Sequence, residues 1–165
     1  MHTSSYTGMR QLIGTYVTTL PKGAKVLDVG SADVNGSYRP LFKGLPCTYI
    51  GADLAAGSGV DLVMPSEYSF GLPDASIHAV ISGQCLEHCR NPFKLVAEMY
   101  RVCVPGAWCL LVAPWSWKEH KHPWDCFRFL PDGMRSVMES AGFTVLKTCI
   151  TGLDCWGIAK KGKIT

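Results

Sequence analysis

Five short apolar runs constrain this chain more than any other feature: KVLDVG (25–30), TYIGADL (48–54), GVDLVM (59–64), IHAVIS (77–82) and AWCLLVAPW (107–115). Each is too short for an ordinary helix, is rich in Val, Ile or Leu, and reads as a strand buried on both faces. Around them the period changes. Met9, Leu12, Ile13, Tyr16 and Val17 recur at three- and four-residue spacing, which predicts an amphipathic helix from Ser4 to Thr19, closed by Pro21 and Gly23. Asn91 followed by Pro92 is an N-cap and first-turn pair that opens a second helix, stopped by Pro105 and Gly106. A third helix spans 131–141 and ends at Gly142; FTVLKTCI (143–150) and DCWGIAKK (154–161) follow, close enough to pair antiparallel.

Strands that alternate with helices and finish in a hairpin imply an α/β fold. The expectation is a Rossmann-like three-layer sandwich, with a mostly parallel seven-stranded sheet and one antiparallel edge strand. The 165 residues suit one domain over 1–165. The N-terminal helix, residues 1–20, is either a lid over the ligand or plain packing on the sheet. In such sheets ligands bind outside the carboxyl ends of the strands, so the residues after each strand carry the function.

After the first run come Gly30, Ser31, Ala32 and Asp33. A dinucleotide turn GxGxxG would need glycines at 32 and 35, where Ala32 and Asn35 stand, and no GK[ST] phosphate loop follows. Asp28 precedes the turn, and Asp53 closes the second run where an acid in these folds accepts hydrogen bonds from ribose hydroxyls. The pair points to a nucleoside that carries an amino group and no phosphates. Capping of backbone donors by Asp28 and an ordinary loop acid at Asp53 are the plainer alternatives.

From Lys25 to Phe143 the sequence resembles the class I S-adenosylmethionine (SAM)-dependent methyltransferases, in particular the small single-domain group called methyltransferase type 11. VLDVGSADVNGSYRP, YIGADL, VISGQCLEHCRNPFKLVAEMYRVCVPGA and HPWDCFRFLPDGMRSVMESAGF carry the resemblance. The third segment is the most specific, keeping Leu86, Glu87, His88, Arg101, Val102, Pro105 and Gly106 of the family pattern. The resemblance implies SAM as cofactor, with Asp28, Gly30 and Ser31 at its methionine end, Asp53 and Leu54 at its ribose, and Ser82, Gly83 and Gln84 beside the sulfonium. Ala32, Val34, His78 and Ala107 depart from the pattern, and the acid that commonly contacts adenine has only Ser66 and Glu67 as nearest candidates.

Methyl transfer from a sulfonium mainly requires an aligned acceptor and exclusion of water; an oxygen or protonated nitrogen acceptor also benefits from a base. His88, His120 and His122 are the candidates, with His88 and His122 carried forward as catalytic together with Asp125. The stretch PWSWKEHKHPWDCFRF (114–129) follows the fifth run and overhangs the same rim. Asp125 and Arg128 are spaced to pair. Trp115, Trp117 and Trp124 either pack under the loop or offer flat faces to a ring-shaped acceptor.

The reading is therefore an enzyme: a cytosolic methyltransferase acting on an oxygen or nitrogen of a small-molecule or sugar-like acceptor. Its alternative is a non-catalytic methyltransferase-like domain that binds SAM or a nucleoside as a regulatory or partner module. A net charge of +3 with no basic run beyond Lys160, Lys161 and Lys163 does not indicate nucleic acid, and no membrane span is present. Eight cysteines read as small core residues. A zinc-supported interaction domain is weighed on Cys85, His88, Cys89, His120, His122 and Cys126, and set aside because neither CxxC nor HExxH occurs. No metal is expected. The sequence does not identify the acceptor or the oligomeric state.

Overall fold

A computed structural model describes residues 3–162; Lys163 lies outside them. Seven strands form one sheet in the order β3-β2-β1-β4-β5-β7-β6. They are β1 (Lys25–Val29), β2 (Thr48–Asp53), β3 (Leu62–Val63), β4 (Ile77–Gly83), β5 (Cys103–Pro114), β6 (Phe143–Thr151) and β7 (Asp154–Lys161). β1 to β5 pair parallel, and β7 is antiparallel to both β5 and β6. The antiparallel strand thus lies one position in from the edge, which β6 occupies.

Alternation of side chains sorts the core into two layers. Val26, Ala79, Ile81, Leu110 and Val112 face helix α1 (Thr3–Leu12), with its Met9 and the following Ile13 and Val17. Leu27, Val29, Cys109, Leu111 and Ala113 face α2 (Pro92–Val102) and α3 (Pro131–Ser140). Each fully buried Leu or Ile contributes about 1.5–3 kcal/mol by leaving water. α2 forms where expected: the Asn91 side chain accepts from the Lys94 amide, Pro92 sits at the first position, and Leu95, Val96, Met99 and Val102 form its buried face. Helical hydrogen bonding after α1 widens to a π turn over Ile13–Val17, so the predicted N-terminal helix is continuous but not uniform.

Two expectations are corrected. Helices do not alternate with every strand: between β1 and β2 there is only a 3-10 turn, Arg39–Phe42, and no helix separates β2, β3 and β4. Gly36, Pro40, Gly44 and Pro46 in the first connection disfavour a longer helix. The third strand shrinks from 59–64 to Leu62–Val63, because the Asp61 carboxylate, rather than a ladder carbonyl, accepts from the Gly51 amide at 2.8 Å.

All eight cysteines are free; Cys103, Cys109 and Cys155 are buried core residues, whereas Cys126 is exposed. Among the described residues no helix is long and apolar enough to cross a membrane.

Candidate functional site

Strand order reverses between β1 and β4, and beyond the carboxyl ends of β1, β2 and β4 opens a cleft of about 870 Å3. That is room for a nucleoside and a small acceptor together. Asp28, Gly30, Ser31, Asp53, Leu54, Gly83 and Gln84, at or after the strand tips, line it together with His88, Trp117, His120, His122 and Trp124. The two acids and three imidazoles singled out in the sequence therefore share one cavity. No described residue of α1 lines it. That helix packs on the sheet face, and its Ser5 reaches the cleft-lining Tyr38 at 2.5 Å.

Asp28 is buried, and its Oδ2 accepts a 2.6 Å hydrogen bond from Tyr49. Burial lifts its carboxyl to about 7; the Tyr49 hydrogen bond and the Arg39 charge pull it down, and Asp53 adds slightly to the rise. Asp53 Oδ2 accepts from the Ala32 amide and Oδ1 from its neighbour Leu54. The turn after β1 is thereby tied to the end of β2, and the Gly30 and Ser31 amides both donate to the Ala52 carbonyl.

Gly30 has φ +80, and a Cβ there would stand 2.6 Å from Cys85 Cβ and Sγ. Its glycine is required by backbone conformation and by Cys85, not by approach of a ligand alone. Gly83 has no side chain because the Tyr38 ring fills that space. Gln84, a non-glycine residue at φ +57, hydrogen-bonds through Nε2 to Asp154. Backbone held in this region concentrates at functional sites.

Ser82 and Asp125 do not line the cleft. Ser82 is buried and its hydroxyl donates to the Val29 carbonyl, joining β4 to β1. Asp125 accepts from Arg128 Nη1 at 2.6 Å and Nη2 at 2.8 Å, and from the His120 amide at 2.7 Å. Arg128 holds its carboxyl far below the usual carboxylate range. Arg128 also donates to the carbonyls of Trp117 and Lys118, so the pair pins the rim segment after β5. Of the tryptophans, Trp124 is half exposed and carries Arg90 over its ring, while Trp115 Nε1 donates to the Gly152 carbonyl outside the cleft. Glu67 lines the cleft in an ion pair with Arg90.

Sequence reasoning gave no site role to Tyr49 or Glu87. Tyr49 had a signal in the register: Asp28 faces Gly51, and Tyr49 lies two residues earlier on the same face. Glu87 is fully buried between His88 and His120, and burial raises its carboxyl to about 8.

The SAM implied by the sequence resemblance fits this cleft. A buried acid at one strand tip can meet an ammonium group, and the acid at the next can meet ribose hydroxyls. After β1 the chain enters no α-helix, so the site lacks the helix N-terminus that binds phosphate in dinucleotide folds. Asp28, Gly30, Ser31, Asp53 and Gln84 are the residues available to hold the cofactor.

A family model described as a methyltransferase domain matches residues 27–111. An uncharacterized methyltransferase of Mycobacterium sp. (strain JLS) is 32% identical over 102 residues; the match covers 56% of this chain and 40% of that protein. A crystal structure of a SAM-dependent methyltransferase from Aquifex aeolicus superposes with TM-score 0.68 at 18% identity, covering 97% of this chain and 98% of that one. A Methanosarcina mazei structure described in the same terms gives TM-score 0.72 at 16% identity over 93% and 98% of the two chains. At these identities the structural likeness is one of fold. The family match, over more than half of the chain and through the strands that build the cleft, identifies the chain as a member of the methyltransferase domain family.

Proposed function

We propose that this chain is an enzyme that transfers a methyl group from SAM to an oxygen or nitrogen of a small-molecule or sugar-like acceptor seated between Gln84 and the rim 114–129. The supporting observation is that one cleft is lined both by carboxylates at two adjacent strand tips, Asp28 and Asp53, and by three imidazoles, His88, His120 and His122.

When bound, the cofactor supplies a methyl group on a sulfonium, already activated toward in-line displacement. Asp28, once ionised, counters the charge of an ammonium group, and Tyr49 aims the carboxylate. Asp53 accepts hydrogen bonds from ribose hydroxyls and simultaneously holds the turn at Ala32. Exposed Trp117 and Trp124 give the acceptor apolar walls and exclude water. His122, on the rim, is the base that takes the acceptor proton. His88 is a positioning residue, because its Nδ1 is committed to the Trp124 carbonyl at 2.6 Å. Asp125 acts through Arg128 and His120 and is likewise a positioning residue.

Calorimetric titration with SAM and with its demethylated product is the first test; failure of both to bind removes the proposal. Incubation with SAM and a metabolite extract is then followed by mass spectrometry for gain of one methylene unit. His122→Ala should lower kcat by about 10²–10⁴-fold, the usual share of a general base, while leaving SAM affinity unchanged. Binding without product in any acceptor class would favour a regulatory SAM-binding module.

A further inference from the structure

Glu87 lies in the 3-10 turn Leu86–His88 after β4, with its side chain fully buried and neither carboxylate oxygen hydrogen-bonded. Two imidazole nitrogens face it: His88 Nε2 at 3.7 Å and His120 Nε2 at 3.9 Å from Oε1. The other nitrogen of each ring is turned to acceptors only. His88 Nδ1 is 2.6 Å from the Trp124 carbonyl. His120 Nδ1 is 3.1 Å from the Lys118 carbonyl and 3.5 Å from Asp125 Oδ2. Each ring therefore carries its proton on Nδ1 and turns the Nε2 lone pair toward the carboxylate. With Glu87 ionised, three electron-pair donors converge, and with Glu87 protonated its proton finds no acceptor within hydrogen-bond distance; a cation at the centre satisfies all three groups.

The spacing suits that cation. One atom from each of the three side chains lies within 4.8 Å of the others, too far for a shared proton. Ligands about 2.0–2.2 Å from a tetrahedral ion are about 3.4 Å apart. The 3.7 and 3.9 Å separations of the two imidazole nitrogens from Glu87 Oε1 are close to that, and side-chain rotation that closes the widest pair from at most 4.8 Å completes the triad. The backing interactions are those that orient metal-bound histidines: a backbone carbonyl behind His88, and a carbonyl with the Arg128-anchored Asp125 behind His120.

We propose that Glu87, His88 and His120 form a binding site for one divalent first-row transition-metal ion of the zinc class. Two imidazoles and one carboxylate are borderline donors; calcium and magnesium favour all-oxygen sets. This departs from the metal-free expectation drawn from sequence, where the histidines were grouped with cysteines rather than with Glu87. Glu87 closes the back of the triad, and His88 and His120 line the cleft, so the remaining coordination positions face the acceptor side. There the ion would take an oxygen donor of the acceptor. That last step rests on the methyl-transfer reading, whereas the metal site does not.

The full chain, stripped with a chelator, is titrated with Zn2+ by calorimetry and with Co2+ by visible absorption. The expected result is one equivalent bound, with nitrogen–oxygen ligand-field bands for Co2+. Glu87→Gln and His120→Ala should each weaken binding at least tenfold, and Asp125→Asn should do so to a smaller extent. Circular dichroism checks the fold of each variant; His120, partly exposed, remains informative if Glu87→Gln does not fold. No stoichiometric Zn2+ or Co2+ binding, or a folded His120→Ala variant that binds Co2+ like the parent, overturns the site. SAM is titrated into the same metal-free protein. SAM binding without metal binding sinks the metal site alone, and the reverse sinks the methyltransferase reading alone.

Discussion

Tyr49 Oη donates a 2.6 Å hydrogen bond to Asp28 Oδ2, from β2 to β1, two residues along the strand from Gly51, the register partner of Asp28. This contact aims a buried carboxylate at the cleft and opposes the desolvation that raises its pKa to about 7. Where a cationic ligand meets Asp28, affinity and protonation are therefore coupled near neutral pH.

Affinity for SAM should rise with pH through about 7 and fall about tenfold per unit on the acid side, because only the ionised carboxylate counters an ammonium group. Tyr49→Phe removes a hydrogen bond that favours the charged form and should move this transition to higher pH. Calorimetric titration with SAM over a pH series reads both effects; a flat profile would exclude Asp28 as the ammonium partner.

Stability should respond in the opposite sense. A carboxyl raised from 3.8 to about 7 binds more protons folded than unfolded between those values, so its contribution declines as pH rises through that window. Above it the buried charge costs a few kcal/mol, to order of magnitude. Asp28→Asn should therefore unfold at a higher temperature than the parent at pH 8, with the gap closing toward pH 4, while losing SAM affinity.

Asp125 and Arg128 behave in the reverse way. The arginine depresses the Asp125 carboxyl, so the pair stabilises the fold above the unfolded value of 3.8, and that contribution is lost as pH falls toward the folded value. Arg128→Ala should cost about 1–3 kcal/mol at pH 7 and loosen the rim segment. Urea unfolding gives the energy, and hydrogen exchange at 117–128 shows whether the loss is local.

One substitution should have opposite signs at two glycines. Gly30→Ala meets Cys85 at 2.6 Å with φ at +80 and should destabilise by about 2–4 kcal/mol. Gly133→Ala, within α3 and with no atom near its added methyl, should stabilise by about 0.5–1 kcal/mol. Denaturant midpoints for the two variants decide the matter.

α2 and β4 were legible because their signals are local: a cap, a proline at the first turn, and a period that one face of a helix or strand must obey. The short β3 was not, since it depends on the Asp61 side chain substituting for a ladder carbonyl at Gly51. The missing helix between β1 and β2 was written in its glycines and prolines, yet expectation of a regular alternation outweighed them. For the site, Asp28 and Asp53 could be found because parallel neighbouring strands bring their carboxyl ends together, whatever the connections between them.

Sequence alone determined the three α-helices, every strand but the extent of β3, and that acids stand at the first two strand tips, because periodicity and capping act over a few residues. Tertiary structure decided what those residues meet. It set β7 between β5 and β6, gave Asp28 its Tyr49 and Gly30 its Cys85, and folded the rim so that His120 faces Glu87. These relationships join segments distant in the chain, and their energies depend on desolvation and lone-pair direction, which arise only once the sheet, the rim and the turn after β4 are packed together.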